Sequence, residues 1–378
     1  MFESIELPIV DVTPLLHHVS ANQSHANASS EARAASASML HALSTVGAFQ
    51  CRITEGNFTD EDVFNTCDAL FDIEASEKKA CIEKRGGFVR GFLGMGDESG
   101  GVALEVKEAF SYGTTCKKNV ESCNKLQGQN AFPPSLSKTH VDKLLSYHEI
   151  CSKVSRAITR GMALALEGNK TLEECVSLTK DAENAASISL MRLFRYYPYS
   201  TADKSTTTPA IPHVNRIGSS PHTDWGFLTL IRSTRSGLQV ASTSTVTDNT
   251  TWKTVVPVSN CFTVNGGDYL SVITNGKVIS PLHRVINAEE EVRTSLVFFY
   301  YPPYETTVPV DFEFRGSNSG DMDPIVLERI KNLSLFRDQT AVASESGKDN
   351  VPSLDLKQVS FGDYISSKWE SVARNGGY

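Results

Sequence analysis

The 378-residue sequence predicts an α+β protein, mainly β, in which a β-sandwich or jelly roll is backed by helices. Three observations carry that prediction. Apolar periodicity is helical through much of the first half of the chain, most clearly over residues 139–167. From Ala186 onward it changes to many short β-type runs separated by Gly, Asn, Ser and Thr turns. The composition, 40% apolar and 21% charged, is that of a globular protein with a large buried core. The change of period divides the chain into a helix-rich portion with the first strands of the sheet (1–185), a β-rich core (186–310) and a polar segment with a closing helix (311–378). The three are expected to fold as one compact unit.

In chain order, Leu7 to Val12 (LPIVDV) is a short apolar run ended by Thr-Pro, and reads as a first strand. Residues 20–38, rich in Ser, Ala and Asn, begin as a loop and enter a helix that runs to about Val46. Val46 to Cys51 reads as a turn into a strand. Between Phe58 and Cys81, Val63, Cys67, Leu70 and Phe71 have helical spacing, and Asp60, Glu61 and Asp62 stand where a helix N-terminus favours anions. Seven glycines between 85 and 101 lack any phosphate-cradling spacing and read as a mobile loop near the mouth of a site. Val106 to Tyr112 (VKEAFSY) reads as a strand with Glu108, Phe110 and Tyr112 on one face.

Residues 139–167 carry one apolar stripe (Val141, Leu144, Leu145, His148, Cys151, Val154, Ile158, Met162 and Ala165), with Thr139 as N-cap and Gly168 as stop. His148 on that stripe reads as structural. A weaker helix is expected over 171–183. The strands that follow are SISLMRLFRYYP, SSPHTDWGFLTLI, GLQVAS, WKTVVPV, CFTVNGGDYLSVIT, SPLHRVI and RTSLVFFYYPP. The stretch 312–350 is polar, with a possible helix in IVLERIKNLSLF, and LKQVSFGDYISSKWESVA reads as the closing helix.

Charge and cysteine usage exclude several classes. A net charge of −8 and a pI near 5.7 argue against a nucleic-acid partner, which needs a basic face. No apolar run approaches the ~20 residues of a membrane helix, and the acidic N-terminus lacks the features of a secretory signal. Eight scattered cysteines without a CxxC pair fit reduced thiols in a cytoplasmic enzyme.

The chemistry-bearing stretch is SSPHTDWGFLTL. Residues two apart on a strand share a face, so His222 and Asp224 project together, and His283 in SPLHRV supplies a second imidazole. Two histidines and one carboxylate form the facial triad of non-haem Fe(II) oxygenases, which leaves positions open for a chelating co-substrate and O2. Arg293 and Ser295 are likewise two apart and suit a carboxylate, the arginine bidentately. Tyr197, in the strand before the HxD strand, offers a third hydrogen bond. A surface pairing of Arg293 with Glu289, Glu290 or Glu291 is the alternative.

With these residues in hand, the sequence resembles the 2-oxoglutarate/Fe(II)-dependent dioxygenases of the isopenicillin N synthase type over nearly its whole length. LPIVDV is similar to that family's opening strand, VGAFQ to its helix-to-strand turn, KEAF to its mid-domain strand, RYYP to its NYYP segment and GLQV to its hairpin strand. NGGDYLSVITNGKVISPLHRVI, RTSLVFFYYPP and FGDYI resemble its C-terminal core. The resemblance implies a distorted double-stranded β-helix, the jelly roll of that family. It also implies iron on His222, Asp224 and His283, and the distal carboxylate of 2-oxoglutarate on Arg293, Ser295 and Tyr197. The implied cofactors are Fe(II), 2-oxoglutarate and O2, with ascorbate as a supporting reductant. The implied reaction oxidises a small soluble metabolite by hydrogen-atom abstraction, in specialised metabolite biosynthesis, by a cytoplasmic monomer or weak homodimer.

One departure is Arg195, where the family often has Asn. It either pairs with a structural acid or receives a substrate carboxylate, which points to an amino acid or another small carboxylic acid. Strict alternation from Tyr197 puts Arg195 on the site face and Arg192 on the other. Phe299, Phe110 and Tyr112 are the aromatic candidates for the substrate wall, with core packing as the alternative. Trp225 faces away and reads as packing, and Asn265 and Asp268 either shape the strand beside the open site or serve a turn. Competing readings are an Fe(II) oxidase of the same fold that does not use 2-oxoglutarate, a catalytically silent jelly-roll binding protein, and a zinc hydrolase. The last leaves Arg293, Ser295 and Tyr197 unexplained.

Overall fold

Residues Glu3 to Asp11 are shared between two sheets. β1 (Glu3–Ile5) runs parallel beside β11 (Trp252–Val255) of a five-stranded sheet, and β2 (Ile9–Asp11) runs parallel beside β3 (Ala48–Arg52) of a nine-stranded sheet. In this computed structural model, residues 3–20, 25–54, 59–85, 88–95, 97, 105–115, 124, 126–166, 172, 187–198, 217–244, 246–247, 249–306 and 360–376 are described. The expected helix at 171–183 apart from Leu172, that in IVLERIKNLSLF, the stretch 312–350 and residues 86–87, 96 and 98–101 of the glycine-rich stretch lie outside them; Phe88–Leu93 of that stretch forms a strand in place of the expected loop.

The N-terminal part supplies α1 (Thr13–Ser20), α2 (Ser30–Thr45), β3 (Ala48–Arg52), α3 (Asp60–Phe71), α4 (Ala75–Ala80), β4 (Ile82–Arg85), β5 (Phe88–Leu93), β6 (Lys107–Gly113) and α5 (Lys138–Ala165). Side-chain caps set the starts of three helices: Ser29 accepts from the Ala32 N–H, Thr59 from Asp62 and Ser137 from His140. The cap of α5 is therefore Ser137 and not Thr139, two residues earlier than the apolar stripe suggests. Asp60, Glu61 and Asp62 do occupy the first turn of α3.

β7 (Leu190–Tyr196), β8 (Ile217–His222), β9 (Leu228–Ser233), β10 (Leu238–Ala241), β11 (Trp252–Val255), β12 (Cys261–Gly266), β13 (His283–Ile286) and β14 (Arg293–Tyr300) complete the sheets. Among the described residues the large sheet has the order β2-β3-β12-β9-β14-β7-β6-β5-β4, and the small one β1-β11-β10-β13-β8. The two face each other as a jelly roll, the fold the sequence predicts. DYLSVI, expected to continue a strand, forms α6 (Asp268–Ile273) instead. Gly267 ends β12, and the Asp268 side chain is taken by Thr223 and Ser280, which starts a helical turn in place of a ladder. The closing helix is α7 (Phe361–Gly376).

The large sheet is buried on both faces. Its outer face packs under α1, α2, α3 and α5 through Phe49, Cys51, Phe110, Tyr112, Met191, Leu193, Leu230, Phe262, Val264, Leu296 and Phe298. Its inner face meets the small sheet through a second apolar cluster that includes Ala48, Ala109, Phe194, Tyr196, Ile231, Leu238, Val240, Val285 and Val297. The site lies within this inner layer. The cysteines among the described residues (51, 67, 81, 151 and 261) are free and buried, and burial pushes the thiols of Cys51, Cys67 and Cys151 far up, so they act as apolar packing. No helix among the described residues is long and apolar enough to cross a membrane.

Candidate active site

The stretch carrying His222 and Asp224 is not one strand. β8 ends at His222, and a bend over residues 223–227 leads into β9. The bend is held by close backbone approach. The Gly267 N–H donates to the Phe227 carbonyl (2.9 Å) and the Asp268 N–H to the Asp224 carbonyl (2.7 Å). A Cβ on Gly267 would sit 2.1 Å from the Gly226 oxygen, and one on Gly226 2.4 Å from the Tyr301 ring, so only glycine fits at both positions. Asp268, fully buried, takes Thr223 Oγ1 at 3.1 Å and Ser280 Oγ at 2.6 Å, and so braces both the HxD bend and the loop leading to His283.

His222 and His283 face each other across the β8–β13 pair, with ring centres 4.3 Å apart. Ligand atoms of His222, Asp224 and His283 all lie within 4.8 Å of one another, and each histidine Nε2 is 3.8 Å from Asp224 Oδ1. Nδ1 of His222 faces the Ser220 carbonyl at 2.7 Å and Nδ1 of His283 the Pro281 carbonyl at 3.0 Å. A proton on each Nδ1 leaves each Nε2 with a lone pair aimed at the cluster, as metal ligation requires. His222 keeps 42% of its side chain accessible, while Asp224 and His283 are buried. Enclosure of its ring nitrogens by protein and repulsion from His283 hold the His222 pKa below its usual value. Asp224 Oδ2 is buried without a hydrogen-bond partner. A divalent cation fits this donor set: two neutral imidazoles, one carboxylate and a spare oxygen lone pair.

The triad opens on a small cavity of about 60 Å³, lined also by Phe194, Tyr196, Ser219, Thr229, Ile231, Leu238, Val285, Arg293, Ser295, Val297 and Phe299. Arg293 and Ser295, on one face of β14, are buried at its inner end. Arg293 Nη1 and Ser295 Oγ have no hydrogen-bond partner, while Arg293 Nε donates to the Arg235 carbonyl at 3.2 Å. Burial pulls the Arg293 pKa down, and the adjacent Tyr196 opposes it. A buried guanidinium and hydroxyl with unmade bonds fit one anionic oxygen group.

The other assignments separate. Tyr197 does not reach the cavity: β7 ends at Tyr196, and the Tyr197 hydroxyl donates to Glu108 Oε1 at 2.5 Å on the helix side of the sheet. Tyr196 pairs in register with Arg293 and lies under its guanidinium at 5.0 Å. Arg195 also faces the helices, bound to Asp68 (2.8 Å) and Asp72 (2.6 Å) of α3 and its C-cap, so the structural-acid alternative describes its surroundings. Phe110 stacks on Phe132, and Tyr112 donates to the Leu144 carbonyl of α5; both belong to the outer core and not to a substrate wall. Phe299 does line the cavity.

Alternation along β7 therefore runs opposite to the sequence expectation, and Arg192, Phe194 and Tyr196 share the inner face. Arg192 Nε donates to Ser111 Oγ (3.1 Å), and its guanidinium lies about 5 Å from both the Phe194 and Trp369 rings. Trp369 of α7 meets Trp225 edge-on at 5.5 Å. On the neighbouring strand Lys107, also buried, pairs with Glu105 at 2.7 Å, and Glu105 accepts the Ser220 N–H two residues before His222. Burial would raise the Glu105 pKa, but Lys107 and Ser220 outweigh it and hold the carboxyl below its usual value. Arg192, Lys107, Tyr196 and Thr229 went unassigned in the sequence. The spacing of Arg192, Phe194 and Tyr196 was the available signal.

Comparison with known proteins gives the same picture. Residues 188–302 match the model of the 2OG-Fe(II) oxygenase superfamily, and residues 7–135 that of the non-haem dioxygenase in morphine synthesis N-terminal. The chain is 32% identical to a homoarginine-6-hydroxylase of Glycine max over 251 residues, 64% of this chain and 70% of that one. Against two Arabidopsis thaliana homoarginine-6-hydroxylases it spans only 46% and 55% of their length. The 2-oxoglutarate-dependent dioxygenase citB of Monascus ruber is 29% identical, over 79% of this chain and 85% of that one. Among solved structures, a full-length Neurospora crassa protein in complex with alpha-KG superposes with a TM-score of 0.62 at 18% identity, covering 96% of this chain and 95% of that one. The Arabidopsis dioxygenase for auxin oxidation 1, as its 2-oxoglutarate complex, gives 0.55 at 17%, covering 79% and 94%.

Proposed function

Because the chain belongs to the 2OG-Fe(II) oxygenase superfamily, we propose that His222, Asp224 and His283 hold its iron and that Arg293 and Ser295, with Tyr196 beside them, hold the distal carboxylate of 2-oxoglutarate. The observation that carries this reading is the joint placement in one cavity of three converging ligands and the unpartnered Arg293 Nη1 and Ser295 Oγ. Fe(II), 2-oxoglutarate and O2 supply hydrogen-atom abstraction from a small metabolite, with hydroxylation, desaturation or ring closure as the outcome and succinate and CO2 released. The protein's own contribution is orientation. The Ser220 and Pro281 carbonyls fix both imidazoles, Asp268 fixes the two segments that carry them, and the apolar wall of Phe194, Val297 and Phe299 limits water.

At the substrate end, Arg192 is our candidate for reading an anionic group, in the role first considered for Arg195. An amino acid or other small carboxylate fits that chemistry, and the homoarginine-6-hydroxylases among the relatives make homoarginine the first compound to try. The test is anaerobic titration of the Fe(II) protein with 2-oxoglutarate, following the metal-to-ligand charge-transfer band, and then a metabolite panel beginning with homoarginine. A band that shifts with substrate, and succinate formed in step with substrate loss, are expected. No band with 2-oxoglutarate defeats the proposal.

A further inference from the structure

One polar side chain of the chamber has no role in the machinery described so far. Side chains across the inner face of the large sheet follow the ladder register: Phe299 of β14 lies opposite Thr229 of β9, Thr229 opposite Asn265 of β12, and Asn265 opposite Ala48 of β3. Cross-strand partners project from the same face. Phe299 and Thr229 line the triad cavity, and Ala48 belongs to the inner apolar cluster, so Asn265 lies on the inner face of the sheet, one strand beyond the cavity wall at Thr229. It is fully buried, and neither Nδ2 nor Oδ1 has a hydrogen-bond partner. Ala48, next in the row, contributes only a methyl group and leaves room beside the amide.

The other unpartnered polar atoms of the triad cavity are Asp224 Oδ2, Arg293 Nη1 and Ser295 Oγ, and the proposed iron and 2-oxoglutarate account for each. Asn265 is the inner-face group they leave over. Buried amides are almost always satisfied, because an unmade pair of bonds costs the full desolvation of the group. The position is also tied to the metal ligands by backbone. Two residues on, the Gly267 N–H binds the Phe227 carbonyl, and three residues on, the Asp268 N–H binds that of Asp224.

Resting on the metal site proposed above, we infer that Asn265 is a positioning residue that hydrogen-bonds a water ligand of the metal. The chemistry selects water over a carboxylate at Oδ1: the amide oxygen accepts, and a water ligand, its own oxygen committed to the metal, donates, whereas a carboxylate only accepts. Asn265 would thus help to hold that water, a role distinct from that of the 2-oxoglutarate clamp.

The test uses Mn(II) as the probe on the full chain. Affinity is read from loss of the free-ion electron paramagnetic resonance signal, bound water from water-proton relaxation, and the fold from the melting temperature of the metal-free protein. For Asn265→Ala the melting temperature is expected to hold, since an unsatisfied amide leaves with the side chain. Mn(II) affinity should fall roughly 10–100-fold, the usual effect of losing an outer partner of a metal ligand, and water relaxation should change with it. Asn265→Thr, whose hydroxyl also donates and accepts, should recover part of the loss. Wild-type affinity and relaxation in both variants overturn the inference, as does a lower melting temperature with unchanged Mn(II) binding. If wild type itself fails to bind Mn(II), or His222→Ala binds as well as wild type, the metal-site reading falls and this inference with it.

Discussion

Replacing Tyr197 by Phe removes one hydroxyl from a buried ion pair and leaves the chamber untouched. That hydroxyl donates to Glu108 Oε1 at 2.5 Å, while Lys78 Nζ holds Glu108 Oε2 at 3.0 Å and the Phe71 carbonyl at 2.5 Å. The Glu108 and Lys78 side chains are only 8% and 7% exposed, so water cannot readily replace the lost donor. A hydrogen bond to a charged group is worth about 1.5–3 kcal/mol. Unfolding entropy near 2.1 cal/mol/K per residue gives about 0.8 kcal/mol/K for this chain, hence a fall in melting temperature of roughly 2–4 °C. The 2-oxoglutarate affinity of Tyr197→Phe should match wild type. Tyr196→Phe keeps the ring under Arg293 but loses the hydroxyl at the clamp, and its 2-oxoglutarate affinity should fall roughly five- to tenfold, or about 1–1.5 kcal/mol. Scanning calorimetry and the charge-transfer titration separate the two. A tenfold loss of 2-oxoglutarate affinity in Tyr197→Phe, with an unchanged melting temperature, would refute the register of β7 and return Tyr197 to the clamp.

Three further outcomes are expected. Arg195→Gln, which loses ion pairs to the half-exposed Asp68 and the more exposed Asp72 and the stacking of its guanidinium on Phe71, should cost roughly 1–2 kcal/mol and leave substrate KM alone, whereas Arg192→Gln should raise substrate KM without changing that for 2-oxoglutarate; steady-state kinetics of both variants decide it. Gly237 has φ +152°, and a Cβ there would stand 2.9 Å from Arg293 Cδ and 3.0 Å from the Ile286 oxygen, so Gly237→Ala should weaken 2-oxoglutarate in the charge-transfer titration while Mn(II) binding persists. Burial lowers the His148 pKa from 6.5 to about 4, so below pH 6.5 the unfolded chain takes up the proton first, and stability is lost progressively down to pH 4, by at most about 3 kcal/mol. The urea midpoint of wild type should therefore fall relative to that of His148→Phe as pH goes from 7 to 4, and parallel curves would contradict this.

The cluster proposed to hold iron was legible because its signal is local and chemical: an HxD, and a second histidine followed ten residues later by Arg-Thr-Ser. Even there the stated cause was incomplete, since His222 closes a strand and Asp224 sits in a bend held by Gly226, Gly267 and Asp268. The faces of β6 and β7 were not legible. A half-exposed strand labels its faces by polarity, but this sheet is covered on one side by helices and on the other by the small sheet, so Met191 and Leu193 look no different from Leu190 and Phe194. Phasing of β7 then hung on one tyrosine of a Tyr-Tyr pair, and choosing Tyr197 put Arg195 on the inner face, while Phe110 and Tyr112, named as aromatics of a substrate wall, belong to the helix-covered face. Arg192 and Trp369, nearly 180 positions apart, meet only through the packing of α7, which no local pattern encodes.

The division of Glu3 to Asp11 between the two sheets sets an order of events during synthesis. β2 can pair as soon as Gln50 to Arg52 emerge, but Glu3 of β1 waits for Lys253, 250 residues later in the chain. At 5–20 residues per second that interval is roughly 10–50 s. Throughout it the earliest strand of the small sheet has no partner, and the chamber proposed to hold iron has no complete second wall. A nascent chain of this protein therefore carries an unpaired strand throughout that interval, a period in which a holding chaperone has more to protect than it does in the finished molecule.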